Sequence, residues 1–148
     1  PVLALDTIKN PFLEILPPGD RLFNRTLGRA SYAAIFDLIA DAPANSTFIV
    51  DAWFGFQPRE VLEAGLVRAG LSDVAEVWCH AAPDIIGQRY SDRLNVRHAG
   101  HPGADYVPEL IALAARALPT GLAPRIDVDT TVPVDSAEIT GWLSKLWS

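Results

Sequence analysis

The 148-residue chain carries 18 acidic against 12 basic side chains, a net charge of −6, and is 49% hydrophobic. This composition predicts one domain with a core of its own and excludes disordered and collagen-like chains. A single cysteine, Cys79, excludes a disulfide scaffold and a multi-cysteine zinc site, and the acidic balance argues against a general nucleic-acid binder.

No apolar run approaches the roughly 18 residues of a membrane span, and no basic-then-apolar start marks a secretory signal. A cytoplasmic globular domain is the expectation. The cations are ten arginines against two lysines, Lys9 and Lys145. Arginine forks suit carboxylates and phosphates.

In chain order, residues 2–5, 47–53, 75–79 and 125–128 form short apolar runs that predict strands. The runs at 2–5 and 48–50 lack polar alternation, as strands buried on both faces do. Helical patterns lie between them. Phe23, Leu27, Ala30, Ala34 and Leu38 predict one apolar stripe of a long helix. Val61, Leu62, Leu66 and Ala69 predict a shorter helix. Pro83 opens another at its first turn, with Ile86, Tyr90 and Leu94 on one face. Val107, Leu110, Ile111, Ala114 and Leu118 make a fourth stripe. The last helix starts at Asp135, with Glu138 completing an Asp-x-x-Glu capping pattern.

Strands alternating with helices predict an α/β fold with a mostly parallel sheet. Ligands gather at the carboxyl ends of such strands, which directs attention to Asp6, Asp51, His80 and Asp129. Asp6, in Asp-Thr-x-Lys, can accept a proton from a substrate hydroxyl or bind magnesium through water, with Lys9 neutralising a phosphate. Asp6 or Thr7 can equally cap the following helix, leaving Lys9 exposed. Asp51 ends an apolar strand, the position from which Walker B acids hold a magnesium shell. Trp53, Phe54 and Phe56 follow it, either as a pocket wall or as core. Asn24, Arg25 and Arg29 near the start of the long helix either face a substrate or lie on the surface.

The richest segment is QRYSDRLNVRHAGHPG, residues 88–103. Arg89, Arg93 and Arg97 recur every four residues and would share a face if one helix carried them all. His98 and His101 follow among glycines that would let the segment close over a polyanion. The other reading is a solvated helix face partnered by Asp84 and Asp92. His98-x-x-His101 lacks further ligands at zinc spacing. Cys79 and His80, as strand neighbours, point to opposite faces and make a poor catalytic pair.

Taken in order, these pieces resemble the small P-loop kinases of the zeta-toxin-like, AAA-type ATPase group. RHAGHPG (97–103) and DVDTT (127–131) carry most of the resemblance, supported by DTIK (6–9). The resemblance implies a P-loop kinase-like domain over residues 1–148, with a three-layer parallel sheet, helices on both faces, and a lid at about 95–104. It implies ATP and Mg2+ as cofactors and phosphoryl transfer to a hydroxyl of a small molecule, sugar or antibiotic-like. Asp6 would then be the substrate-activating carboxylate and Asp51 the metal-shell acid. Arg89, Arg93 and Arg97 would face phosphate, with His98 and His101 in the lid. Asp129 and Thr130 would lie near the base, and Lys9, Arg25 and Trp53 near the substrate.

The group's G-x-x-x-x-G-K-[ST] loop, which should precede PVLALD, does not occur in the 148 residues. Three expectations follow. An upstream segment of a longer polypeptide supplies the loop and its strand, a partner or a swapped second copy supplies the strand, or the domain is a non-catalytic kinase-like binding module. The arginine segment alone could also serve as a simple anion site. Neither nucleic acid nor membrane is expected as a partner.

Overall fold

A computed structural model describes residues 1–55 and 57–148. β1 (Val2–Ala4) runs without a loop into α1 (Leu5–Ile15), and α2 (Arg21–Ala40) returns along it. β2 (Ile49–Asp51) leads through the 53–58 segment to α3 (Arg59–Arg68). β3 (Glu76–His80), α4 (Pro83–Asp92), a 3-10 turn (Ala104–Tyr106), α5 (Val107–Arg116), β4 (Arg125–Asp129) and α6 (Ser136–Leu146) follow. Alternating strands and helices make the chain a mixed α/β protein, as its apolar runs predict. Phe56, one of the predicted aromatic trio, lies outside the described residues.

The local signals work where a side chain satisfies a helix end. Asp135 accepts from the amides of Ala137 and Glu138 at the start of α6, and Asp20 accepts from Phe23 N at 2.8 Å to open α2. Pro83 occupies the first turn of α4. α1 departs from expectation. It begins at Leu5 behind Ala4, which offers no capping side chain, so Asp6 and Thr7 lie inside the first turn and neither caps the helix.

The buried stripe of α2 also differs from the predicted one. Ser31, Tyr32, Ile35, Phe36 and Ile39 are buried, while Ala30 and Leu38 are exposed. The spacing rule held, but the bulky β-branched and aromatic side chains won the inner face over the alanines. Ile35 is completely enclosed, at 0% exposure. Gly65 of α3 sits so close to this face that a Cβ there would fall 2.4 Å from the Phe36 ring. Gly87 of α4 likewise admits Ile111 of α5.

The strands pair in parallel, as two separate ribbons. β1 pairs with β2 in the register Ala4↔Asp51, and β3 pairs with β4 in the register His80↔Asp129. The β3–β4 ribbon therefore brings His80 and Asp129 to one carboxyl end, and the β1–β2 ribbon sets Asp51 beside Ala4, two residues before Asp6 in the first turn of α1. No ladder hydrogen bonds join β2 to β3. The apolar residues Ile49 (65% exposed) and Val77 (37%) are open to solvent, as is Cys79. Among the described residues no helix is long and apolar enough to cross a membrane.

Candidate active site

The candidate site lies past the carboxyl end of β1, where the 95–104 loop folds back onto α1. Tyr90, buried in α4, gives its hydroxyl proton to the Pro102 carbonyl at 2.7 Å. Asn24 of α2 donates from Nδ2 to the Gly100 carbonyl at 2.7 Å. Within the loop, the Gly100 amide donates to His98 Nδ1 at 3.1 Å. These bonds place Arg97 and His101 against the first two turns of α1.

There, Arg97 Nη2 donates to Asp6 Oδ2 at 2.8 Å. The guanidinium also lies 4.8 Å above the centre of the Tyr90 ring, so an aromatic face supports the charge from behind. Asp6 remains 54% exposed while Arg97 is only 23% exposed. The carboxylate thus reaches solvent from a firmly held arginine. Its second oxygen, Oδ1, stands 4.0 Å from His101 Nε2.

Lys9, one turn on from Asp6, is buried rather than exposed. Its Nζ donates to Asn24 Oδ1 at 2.5 Å. Burial lowers its pKa, the Asp6 carboxylate pulls it back up, and Arg97 and Arg21 lower it further. Asn24 therefore links Lys9 to the loop. His101, with a side chain only 6% exposed, meets Asn10 Oδ1 through Nε2 at 2.7 Å. Burial, ahead of the raising effect of Asp6, brings its pKa down to about 4, so the ring is neutral at pH 7. His98 stands 4.0 Å from Glu14.

The other predicted residues lie elsewhere. The three arginines do not share a helix face, because α4 ends at Asp92 and Arg93 is its C-cap. Arg89 donates to Thr130 Oγ1 (2.8 Å) and to the Thr130 carbonyl (2.7 Å). Thr130 in turn donates to the His80 carbonyl. Arg93 Nε turns back to the Arg89 carbonyl. Asp92 takes its bond from Gln88 rather than from an arginine. Asp129 accepts from the amide and hydroxyl of Thr131, which lowers its pKa. Arg25 pairs with Glu109 at 3.0 Å alongside Arg21 at 2.6 Å. Trp53 is fixed through its carbonyl, which accepts from Tyr32 Oη at 2.7 Å. The Tyr32 pKa is pushed up to about 12, chiefly by burial.

Asp51 is exposed at the end of β2, beside Ala4. Among the described residues no group of three or more His, Cys, Asp or Glu is arranged to hold a metal ion. Any metal bound at Asp51 would keep water or substrate oxygens for the rest of its shell, as magnesium does. A cavity of about 380 Å³ lies against the loop, lined by residues that include Leu13, Phe23, Asn24, His98 and Pro102. Asp6 is not in its wall.

Two members of the site, Asn10 and the buried state of Lys9, have no signature in the sequence. Asn10 meets His101 across 91 positions.

No family model matches the chain, and no curated protein matches it. Among solved structures it is similar to a presumed kinase from Chloroflexus aurantiacus J-10-fl, at 23% identity and a TM-score of 0.77. The likeness covers 98% of this chain and 83% of that one. At that identity it establishes a kinase-like α/β fold.

Proposed function

We propose that the chain carries the acceptor-activating side of an ATP-dependent phosphotransferase that acts on a small-molecule hydroxyl. The observation that carries the reading is Asp6, a half-exposed carboxylate in the first turn of α1, two residues past the end of a parallel strand, with one oxygen pinned by Arg97. ATP bound with Mg2+ would supply the phosphoryl group and neutralise its charge. Asp6 Oδ1 accepts the hydroxyl proton, and Arg97, bonded to Oδ2, keeps the carboxylate aimed. Lys9 adds positive potential beneath the site, and Asp51 at the adjacent strand end would hold magnesium through water. Arg89, anchored on Thr130, presents positive charge beside the end of the second ribbon. The chemistry is positioning and electrostatics, as phosphoryl transfer requires.

The phosphate cradle belongs, in this reading, to a further parallel strand seated between β2 and β3. Support comes from the absence of ladder bonds between them and from the solvent exposure of Ile49 on β2 and of Val77 and Cys79 on β3. An open apolar edge of this kind is a template for strand addition. A segment of the same polypeptide is the occupant this reading commits to.

The test uses the purified gene product, its denatured mass, and transfer of label from [γ-32P]ATP to a panel of sugars, nucleosides and aminoglycosides with Mg2+. A mass above the 16.0 kDa of these residues and a labelled hydroxyl product are expected. A mass of 16.0 kDa with no labelled product would overturn the reading in favour of a non-catalytic binding module.

A further inference from the structure

The loop histidine is not placed as a ligand. Its ring is almost wholly enclosed, and its two nitrogens face partners of opposite demand. Asn10 Oδ1, 2.7 Å from Nε2, can only accept. Arg97 Nη2, 3.5 Å from Nδ1, can only donate. Only one state of the ring satisfies both, the neutral tautomer with its proton on Nε2. The same Arg97 Nη2 gives its other hydrogen to Asp6 Oδ2. One terminal nitrogen is therefore shared between a carboxylate and an imidazole lone pair.

We propose that His101 is a positioning residue: turned by Asn10, it holds the Arg97 fork so that Oδ2 of Asp6 is occupied and Oδ1 is left open. The consequence for catalysis rests on the reading of Asp6 given above, whereas the geometric role does not. The charged and titratable groups around the ring are Asp6 and Lys9 on α1, and Arg97 and His98 in its own loop. Glu14 faces His98, and Tyr90 of α4 lies behind Arg97. Three of these neighbours are cations or potential cations, so a proton on Nδ1 would face Arg97 directly and push the fork away. The fork therefore stays in place from neutral pH downward and is released only as pH falls through about 4, where the ring protonates.

The experiment is NMR of the gene product at pH 7, reading the His101 ring nitrogens and the Arg97 Nη hydrogens. The expected result is a ring protonated at Nε2 and bare at Nδ1, with the Arg97 Nη2 hydrogens slow to exchange. In His101→Phe they should exchange about tenfold faster, because a bond from a charged donor is lost. His101→Gln, whose amide can donate to Asn10 and accept from Arg97, should restore slow exchange. A ring protonated at Nδ1, exchange in His101→Phe equal to wild type, or no rescue by His101→Gln would each overturn the proposal. If His101→Phe does not fold, the tautomer in the wild type still decides. Asp6→Asn keeping full phosphoryl transfer would remove the Asp6 reading while leaving the ring and guanidinium signals to judge His101.

Discussion

Asp6→Asn is expected to lower phosphoryl transfer by about 10²- to 10⁴-fold in kcat, the range of a lost general base, with KM for the acceptor little changed. The asparagine keeps the shape of the side chain and an oxygen near Arg97, but it cannot take a proton. The fold should survive the change. Asp6 is 54% exposed and its ion pair with Arg97 opens to solvent, where such pairs contribute about 0–1 kcal/mol. A catalytic loss that large cannot come from so small a change in stability. Steady-state kinetics together with a thermal melt separate the two effects. A kcat within about twofold of wild type would take Asp6 out of the mechanism.

Ile35→Ala is the substitution expected to cost the fold most. Ile35 is fully enclosed, at 0% exposure, on the α2 face that Tyr32, Phe36 and Ile39 share. α2 packs against both α1 and α3, and Gly65 of α3 lies against the Phe36 ring. A cavity here cannot be filled by collapse from one side, so the loss should fall at about 2–5 kcal/mol. Urea unfolding measures it, with the midpoint falling and the slope unchanged. A loss below about 1 kcal/mol would mean that this face is not the core.

α2 also shows how far periodicity carries a reading. The spacing rule found a long helix but chose a stripe through Ala30, Ala34 and Leu38, while the buried stripe runs through Tyr32, Ile35, Phe36 and Ile39. Several apolar phases coexist on this helix, and side-chain volume, which periodicity does not weigh, decided between them. The strands were legible to within a few residues, because short apolar runs bounded by turns leave little choice. Their division into two ribbons could be argued only from the resemblance, since pairing is a relation between distant segments.

The site divides in the same way. The places of Asp6 and Asp51, just past β1 and at the end of β2, were legible because short apolar runs mark where strands stop. The arginine series misled, because four-residue spacing places side chains together only while the helix lasts, and α4 stops at Asp92. Arg89 and Arg97 consequently serve different ribbons, one on Thr130 after β4 and the other on Asp6 after β1. The Lys9–Asn24–Gly100 chain and the His101–Asn10 bond join segments up to 91 positions apart. Neither pattern nor composition records such meetings.

In the proposed function, Asp6 and Arg97 act as one catalytic unit. A double-mutant cycle on phosphoryl transfer by the gene product tests it most directly, using Asp6→Asn, Arg97→Gln and the combination. If the two side chains act together, the double variant should be no slower than Asp6→Asn alone to within about twofold, because the arginine has nothing left to aim. Losses that multiply would show two independent contributions and rule out a single Asp6–Arg97 unit.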